Sequence, residues 1–241
     1  MDTSYLKGKM ATRVRYNPDE PGIPQVYRMG KSYGPWSYKP LTGFGADDSI
    51  LIIGGPLEKL THVPVWMPAV WGLVALVLFA YTWINDGFLF AFESCLLGAV
   101  TFWPLTEYAL HRWILHIPTE SGNGVLNVIH FLLHGIHHKT PQDSSRLLAP
   151  LPMILALATP IYMMMRLVLS FETTLALWSG LLIGYVQYDY THLYLHMPGK
   201  KSAWIRQLVK SHRNHHQHQH HKFYGISYPS NFIWDYIFGT Q

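Results

Sequence analysis

Charge and cysteine are what this sequence has least of. Only 13% of its 241 residues are Asp, Glu, Lys or Arg, against roughly 25% in ordinary soluble domains. Cys95 is the only cysteine, which excludes an intrachain disulfide and any cysteine-rich zinc or iron–sulfur site. The N-terminal stretch, with Lys7, Lys9, Arg13 and Arg15 among polar residues, lacks the apolar core of a cleaved signal peptide. A formal charge of +4 is too small to argue for nucleic acid, and no such partner is expected.

Long apolar runs take the place of the missing charge, since 49% of the chain is hydrophobic and 15% aromatic. Residues 65–84 carry no charge over twenty positions, enough at 1.5 Å per residue to cross a hydrocarbon core of about 30 Å. Asn85-Asp86-Gly87 reads as a turn, and residues 88–105 as a return. Residues 147–169 and 173–188 form a second such pair around Ser170-Phe171-Glu172. Pro150, Pro152 and Pro160 in the third run are tolerated in membrane helices better than in soluble ones. The expected fold is an all-α integral membrane protein. Four transmembrane helices form two hairpins in residues 61–241, preceded by a Gly-, Pro- and Tyr-rich irregular arm over residues 1–60.

Charge orients the hairpins. Eight Lys and Arg precede the first run, three lie between the second and third, and six follow the fourth, leaving only Arg166 on the other side. Positive loops mark the cytosolic face, so both termini and the central loop are expected there. Those same loops carry every histidine cluster described next, so the clusters are expected on one face of the membrane, where they suggest a metal centre of two ions.

Ten of the fifteen histidines fall in four short clusters: His111 and His116; His134, His137 and His138; His192 and His196; His212, His215 and His216. On a helix, positions i, i+3 and i+4 share a face, so the second, third and fourth clusters should each converge. His111 and His116 stand five apart, roughly 140° around a regular helix. Either they serve different metals or the helix is broken before Pro118. Ten imidazoles over two ions give five each, too many for a structural zinc site of four ligands. Imidazole suits several metals, but a nitrogen-rich iron pair beside a bilayer suits oxygen activation and attack on an unactivated alkyl C–H bond.

The set HX4H, HX2HH, HX3H, HX2HH resembles the fatty acid hydroxylase/sterol desaturase superfamily of membrane di-iron enzymes. Glu107 through Arg112, His130 through His138, Pro141-Gln-Asp143 with Arg146-Leu147, Tyr185 through His196 and Trp234 through Thr240 resemble the fatty acid 2-hydroxylases more narrowly. Fainter similarity extends to residues 25–40, so the likeness covers most of the chain. It implies four helices in the endoplasmic reticulum membrane and a cytosolic catalytic cap. The implied reaction is O2-dependent hydroxylation at carbon 2 of a long acyl chain, free or within a ceramide. Two iron ions would be held by the ten clustered histidines, with zinc able to occupy the same imidazoles in a purified sample. Electrons would come from NAD(P)H through a reductase and cytochrome b5. Some relatives carry a fused cytochrome b5 domain with a His-Pro-Gly-Gly haem motif. The motif is absent here, so no haem is expected on this chain, and a separate b5 partner is. The segment Gln217-His-Gln-His-His221 departs from the family pattern.

Other residues have plainer readings. His130, one turn before His134, is expected to support a ligand rather than be one. His218, His220 and His221 read as a solvated run. Tyr185 and Asp189 share a helix face with His192, where Asp189 either accepts a hydrogen bond from a ligand imidazole, meets the substrate head group, or is simply a polar residue at the membrane boundary. Glu107 invites the same supporting role, or direct ligation. Asp143 and Arg146 suit a local i, i+3 ion pair. Two other activities compete: sterol desaturation or sterol methyl oxidation on the same scaffold, and metal transport. Transport should place ligands along the spans, whereas these histidines collect at one end.

Overall fold

The computed structural model describes residues 16–41, 49–227 and 233–241, and among them the regular elements are all helical. Two short helices, α1 (Gly22–Arg28) and α2 (Tyr33–Ser37), open the described part. The long helices follow: α3 (Met67–Asp86), α4 (Phe88–Leu115), α5 (residues 124–139), α6 (Leu151–Val168), α7 (Phe171–His196) and α8 (Ala203–Gln217). A last short helix, α9, spans Ile233–Ile237.

The helices break at both expected places, but over fewer residues than expected, since Asn85 and Asp86 belong to α3. α3 stops at Gly87, whose φ of 95° lies in a region open to glycine at little cost. Ser170 caps α7 by accepting the amide of Thr173 at 3.1 Å. Phe171 and Glu172 therefore belong to the helix rather than to a turn. α6 keeps Pro160 in its interior.

Three segments are long and apolar enough to cross a membrane: Met67–Asp86, Phe88–Leu115 and Ser144–Val168. Their outer faces expose Leu73, Leu76, Leu89, Met164 and Leu167, apolar side chains that suit lipid better than water. The fourth expected run, 173–188, lies within α7 but does not reach that apolarity. α7 packs against α3 and α4, and buries Thr174, Ala176, Ser179, Gly180 and Gly184. Small residues let backbones approach. A Cβ on Gly180 would collide with the Cys95 carbonyl, and one on Gly184 with the Trp103 ring. A helix that faces other helices has no need of a lipid-like surface, which explains its low hydropathy. It also runs eight residues past the expected end, far enough to carry His192 and His196.

The N-terminal arm is not irregular in its described part. α1, α2 and the strap around Ile50 and Ile52 bury Val26, Met29 and Tyr33 against Phe131 and Ile136 of α5. Arg146 ties the strap down. It donates to Glu58 at 2.7 Å, to the Ile50 carbonyl at 2.8 Å and to Thr61 at 2.8 Å. It also forms the expected ion pair with Asp143, at 3.3 Å.

Candidate metal centre

All ten clustered histidines meet in one place, although not in the groups that sequence spacing suggests. One cluster holds His137, His192, His196, His212 and His216; the other holds His111, His116, His134 and His215. Within each, ring nitrogens lie within 4.8 Å of one another. The tenth, His138, stands between them, its ring centroid 4.7 Å from that of His134 and 4.2 Å from that of His216.

The local backbone explains the regrouping. Residues Leu110–Leu115 form a π-turn, and the amide of His116 bonds the His111 carbonyl at 3.2 Å. Winding the helix wider by one residue brings positions five apart onto one side. His111 and His116 therefore share a cluster; of the two expected alternatives it is the break in the regular helix before Pro118 that holds, with His116 at a non-helical φ of −103° and ψ of 46°. On α8, His212 and His216 are one turn apart and go together, while His215 is displaced by about 100° into the other cluster. His134 and His137 likewise separate, just after the π-turn Phe131–Gly135.

Nine ring nitrogens aimed at one another make poor hydrogen-bonding partners. Nε2 of His111 faces Nε2 of His134 at 3.1 Å, and His116 faces His215 at 3.0 Å. In the other cluster His137 faces His192 at 3.0 Å, and His212 faces both His196 at 2.8 Å and His216 at 3.0 Å. Backbone carbonyls fix the tautomer of two of these rings. His111 Nδ1 donates to Tyr224 O and His215 Nδ1 to Lys222 O, each at 2.6 Å. Their Nε2 atoms are then bare lone pairs pointing inward, the disposition of metal-binding imidazoles. Both ring nitrogens of fully buried His138 lack a hydrogen-bond partner. Each such unsatisfied atom costs about 1–3 kcal/mol, a cost that a shared cation removes. Burial first, and neighbouring imidazoles second, hold His134, His137, His138 and His216 well below the ordinary histidine pKa. The rings are therefore neutral, as a ligand must be. The donor set fits two metal ions.

Several supporting residues lie outside the histidine pattern. Glu107, fully buried, accepts the amides of Ile226 at 2.5 Å and Ser227 at 3.1 Å. It is a clamp on the segment that presents the Tyr224 carbonyl to His111, rather than a member of either cluster. Asp235 clamps the same segment through the amides of Tyr224 and Gly225. His130 is satisfied by two tyrosines of the arm: Tyr33 at 2.7 Å on Nδ1 and Tyr38 at 3.2 Å on Nε2. It joins neither cluster, as expected of a supporting residue. The Tyr38 hydroxyl also reaches His116 Nδ1 at 3.3 Å, and its ring stacks on His220 at 3.8 Å. His218 and His221 are exposed as expected; His220, half-buried against Tyr38, is not simply a solvated residue.

A cavity of about 480 Å³ opens against both clusters, within the range of small-molecule sites. His111, His134, His137 and His192 border it, and much of the remaining wall is apolar, including Leu133, Leu148, Met153 and Leu157. Tyr185 and Asp189 line it too. Among the described residues no hydrogen bond joins Asp189 to an imidazole.

Apolar helices of membrane length and two buried histidine clusters beside an apolar cavity define a class: a helical membrane protein with a polyhistidine centre. Comparison with known proteins narrows the class. The fatty acid hydroxylase family model matches residues 96–240. A dihydroceramide fatty acyl 2-hydroxylase of Arabidopsis thaliana is 34% identical over 245 residues, covering 96% of this chain and 95% of that one. A ceramide very long chain fatty acid hydroxylase of Schizosaccharomyces pombe is 34% identical over 192 residues, covering 79% of this chain but only 54% of its own length. The solved structure of scs7p, in which only the hydroxylase domain is visible, superposes with a TM-score of 0.83 at 30% identity, covering 95% and 86% of the two chains. The chain belongs to the fatty acid hydroxylase family and is an oxidoreductase of that family.

Tyr33 and Tyr38 had no signal in the histidine spacing; only the faint likeness over residues 25–40 touched them. The carbonyls of Tyr224 and Lys222 had none at all, because every residue has a carbonyl.

Proposed function

We propose that the protein hydroxylates carbon 2 of a long acyl chain, either a free fatty acid or the N-acyl chain of a ceramide, with O2 as co-substrate. The observation that carries this is the cavity whose apolar wall ends at histidines of both clusters, because it can hold an alkyl chain against the metals. The names of the relatives supply the substrate class. The ten histidines would hold two iron ions, and bound iron would supply activation of oxygen. Zinc competes for the same nitrogens.

The chain's own residues do the rest. Leu133, Leu148, Met153 and Leu157 exclude water and align the acyl chain. Tyr185 and Asp189 offer polar groups in the same wall, suited to the carboxyl or amide next to carbon 2. Residues 61–241 constitute the membrane-embedded hydroxylase domain, and residues 1–60 a cytosolic arm over it. α7 is the fourth span: 26 residues make about 39 Å at 1.5 Å per residue. The protein sits in the endoplasmic reticulum membrane with both termini and the metal centre cytosolic, and draws electrons from NAD(P)H through a reductase and cytochrome b5.

Expression with iron, cytochrome b5 and its reductase, followed by mass spectrometry of added saturated fatty acid and sterol, tests the reaction. A 2-hydroxy acyl product is expected; sterol turnover without it would overturn the reading. Glycosylation tags placed after His138 and after His216 should both stay unmodified if the two loops are cytosolic.

A further inference from the structure

Inserting one atom of O2 into a C–H bond balances as RH + O2 + 2 e− + 2 H+ → ROH + H2O. The two electrons must come from another molecule, and that molecule must approach the histidines without blocking the acyl cavity. The outer face of α8 meets both conditions.

Residues 190–234 contain six Lys and Arg and no Asp or Glu. α8 displays part of that charge on one face: Arg206, Lys210 and Arg213 are exposed at helical spacing, with Gln217 a turn further on. The opposite face buries His212, His215 and His216 among the clusters, and Ile205 and Leu208 against Leu195 and Ile226. Metal ligands and basic surface are thus separated by a single helix, about 10–12 Å across with its side chains.

A second, smaller cavity lies on that side. It measures about 140 Å³ and is bordered by His196, His212 and His216 together with Arg213 and Gln217. The five-histidine cluster is therefore reached from two sides. The acyl cavity touches its His137 and His192, and the small polar one touches the remaining three.

Anionic lipid would be attracted by the same charge. A helix that lies on a bilayer, however, turns an apolar face outward into it, whereas α8 buries Ile205 and Leu208 and carries its exposed Trp204 about 160° around the helix from Arg206, off the basic face. We infer that the outer face of α8, centred on Arg206, Lys210 and Arg213 and covering the small polar cavity, docks an acidic one-electron donor protein. The inference rests on the oxygenase reading above. Complementary charge of this kind steers association and accelerates it by 10- to 1,000-fold.

The test uses the full-length protein in phosphatidylcholine nanodiscs and soluble cytochrome b5 as the acidic probe. Wild-type affinity should weaken as salt rises. The double variant Arg206→Glu/Lys210→Glu should bind about tenfold or more weakly, with a flatter salt dependence, and the neutral Lys210→Gln should fall between. Neither residue enters the histidine clusters, so metal content and reduction by dithionite should match wild type in both variants, which separates lost docking from misfolding. Unchanged affinity in the double variant overturns the inference. So does a loss seen only in phosphatidylserine-containing membranes and independent of the probe, which would assign the face to lipid headgroups. If the variant loses binding but the wild type makes no 2-hydroxy product, docking stands and the carbon-2 reading fails.

Discussion

His111 Nδ1 lies 2.6 Å from the carbonyl oxygen of Tyr224, a bond between residues 113 positions apart. It fixes the imidazole as the tautomer whose Nε2 lone pair faces the cluster. The carbonyl is in turn held by Glu107 and Asp235, each gripping amides of the 224–227 segment. A carboxylate on α4 thereby sets the aim of a histidine one turn away on the same helix, through the C-terminal part of the chain.

Glu107→Leu removes the acceptor of the Ile226 and Ser227 amides, so the 224–227 segment should shift and release His111. Metal affinity at the four-histidine cluster should fall about 10- to 100-fold, the range for partners that orient ligands, with the five-histidine cluster still loaded. Elemental analysis after dialysis checks this: one metal per chain instead of two is expected. His221→Ala, outside both clusters, should keep both. Loss of both metals from Glu107→Leu would show a general collapse instead of a directed one.

Tyr38→Phe deletes the hydroxyl shared with His130 and His116 and keeps the stack on His220. Turnover should drop roughly tenfold, within the range for residues that orient a ligand, while stability should fall by only about 1 kcal/mol. Tyr38→Ala, which also loses the stack, should do worse on both counts. Comparing thermal unfolding with turnover across the pair separates orientation from packing.

Glu58 supplies a pH prediction. Burial opposes its ionisation, but amides of Gly54, Ile52 and Ile53 and the Arg146 guanidinium outweigh that and hold its pKa down at about 2. A carboxylate with a depressed folded pKa stabilises the fold above its unfolded value of about 4.3, and that stability drains away as pH falls towards 2. Arm docking, followed by the fluorescence of Trp36, should therefore weaken progressively below about pH 4.3. Glu58→Gln should lose about 1–3 kcal/mol at neutral pH and show a shallower acid dependence. An unchanged acid profile in the variant would remove Glu58 as the source.

Much of the architecture was legible because it rests on local pattern. The uncharged run 65–84 needs only length and apolarity to become a membrane-length helix, and Gly87 only its freedom at positive φ to end α3. α7 was legible as a helix but not as the central one. Its interior is built from small residues, Ala176, Gly180 and Gly184, which say little until the neighbouring backbones are seen against them. The arm was misread as irregular for a similar reason: its short helices are held by Arg146 and by packing on Phe131, contacts that no local periodicity encodes.

The sequence by itself determined that ten histidines would form a polyhistidine centre, because helical spacing and the placing of the apolar runs leave those side chains at one end of the bundle. Only the tertiary structure decided the partition into five, four and an intermediate His138. Two π-turns rotate His116 and His134 away from where regular helices would put them, and the mutual placing of α4, α5, α7 and α8 chooses which imidazole meets which. Spacing names candidates along one helix, whereas each cluster is closed by atoms from three, and their relative rotation is a property of the packed core.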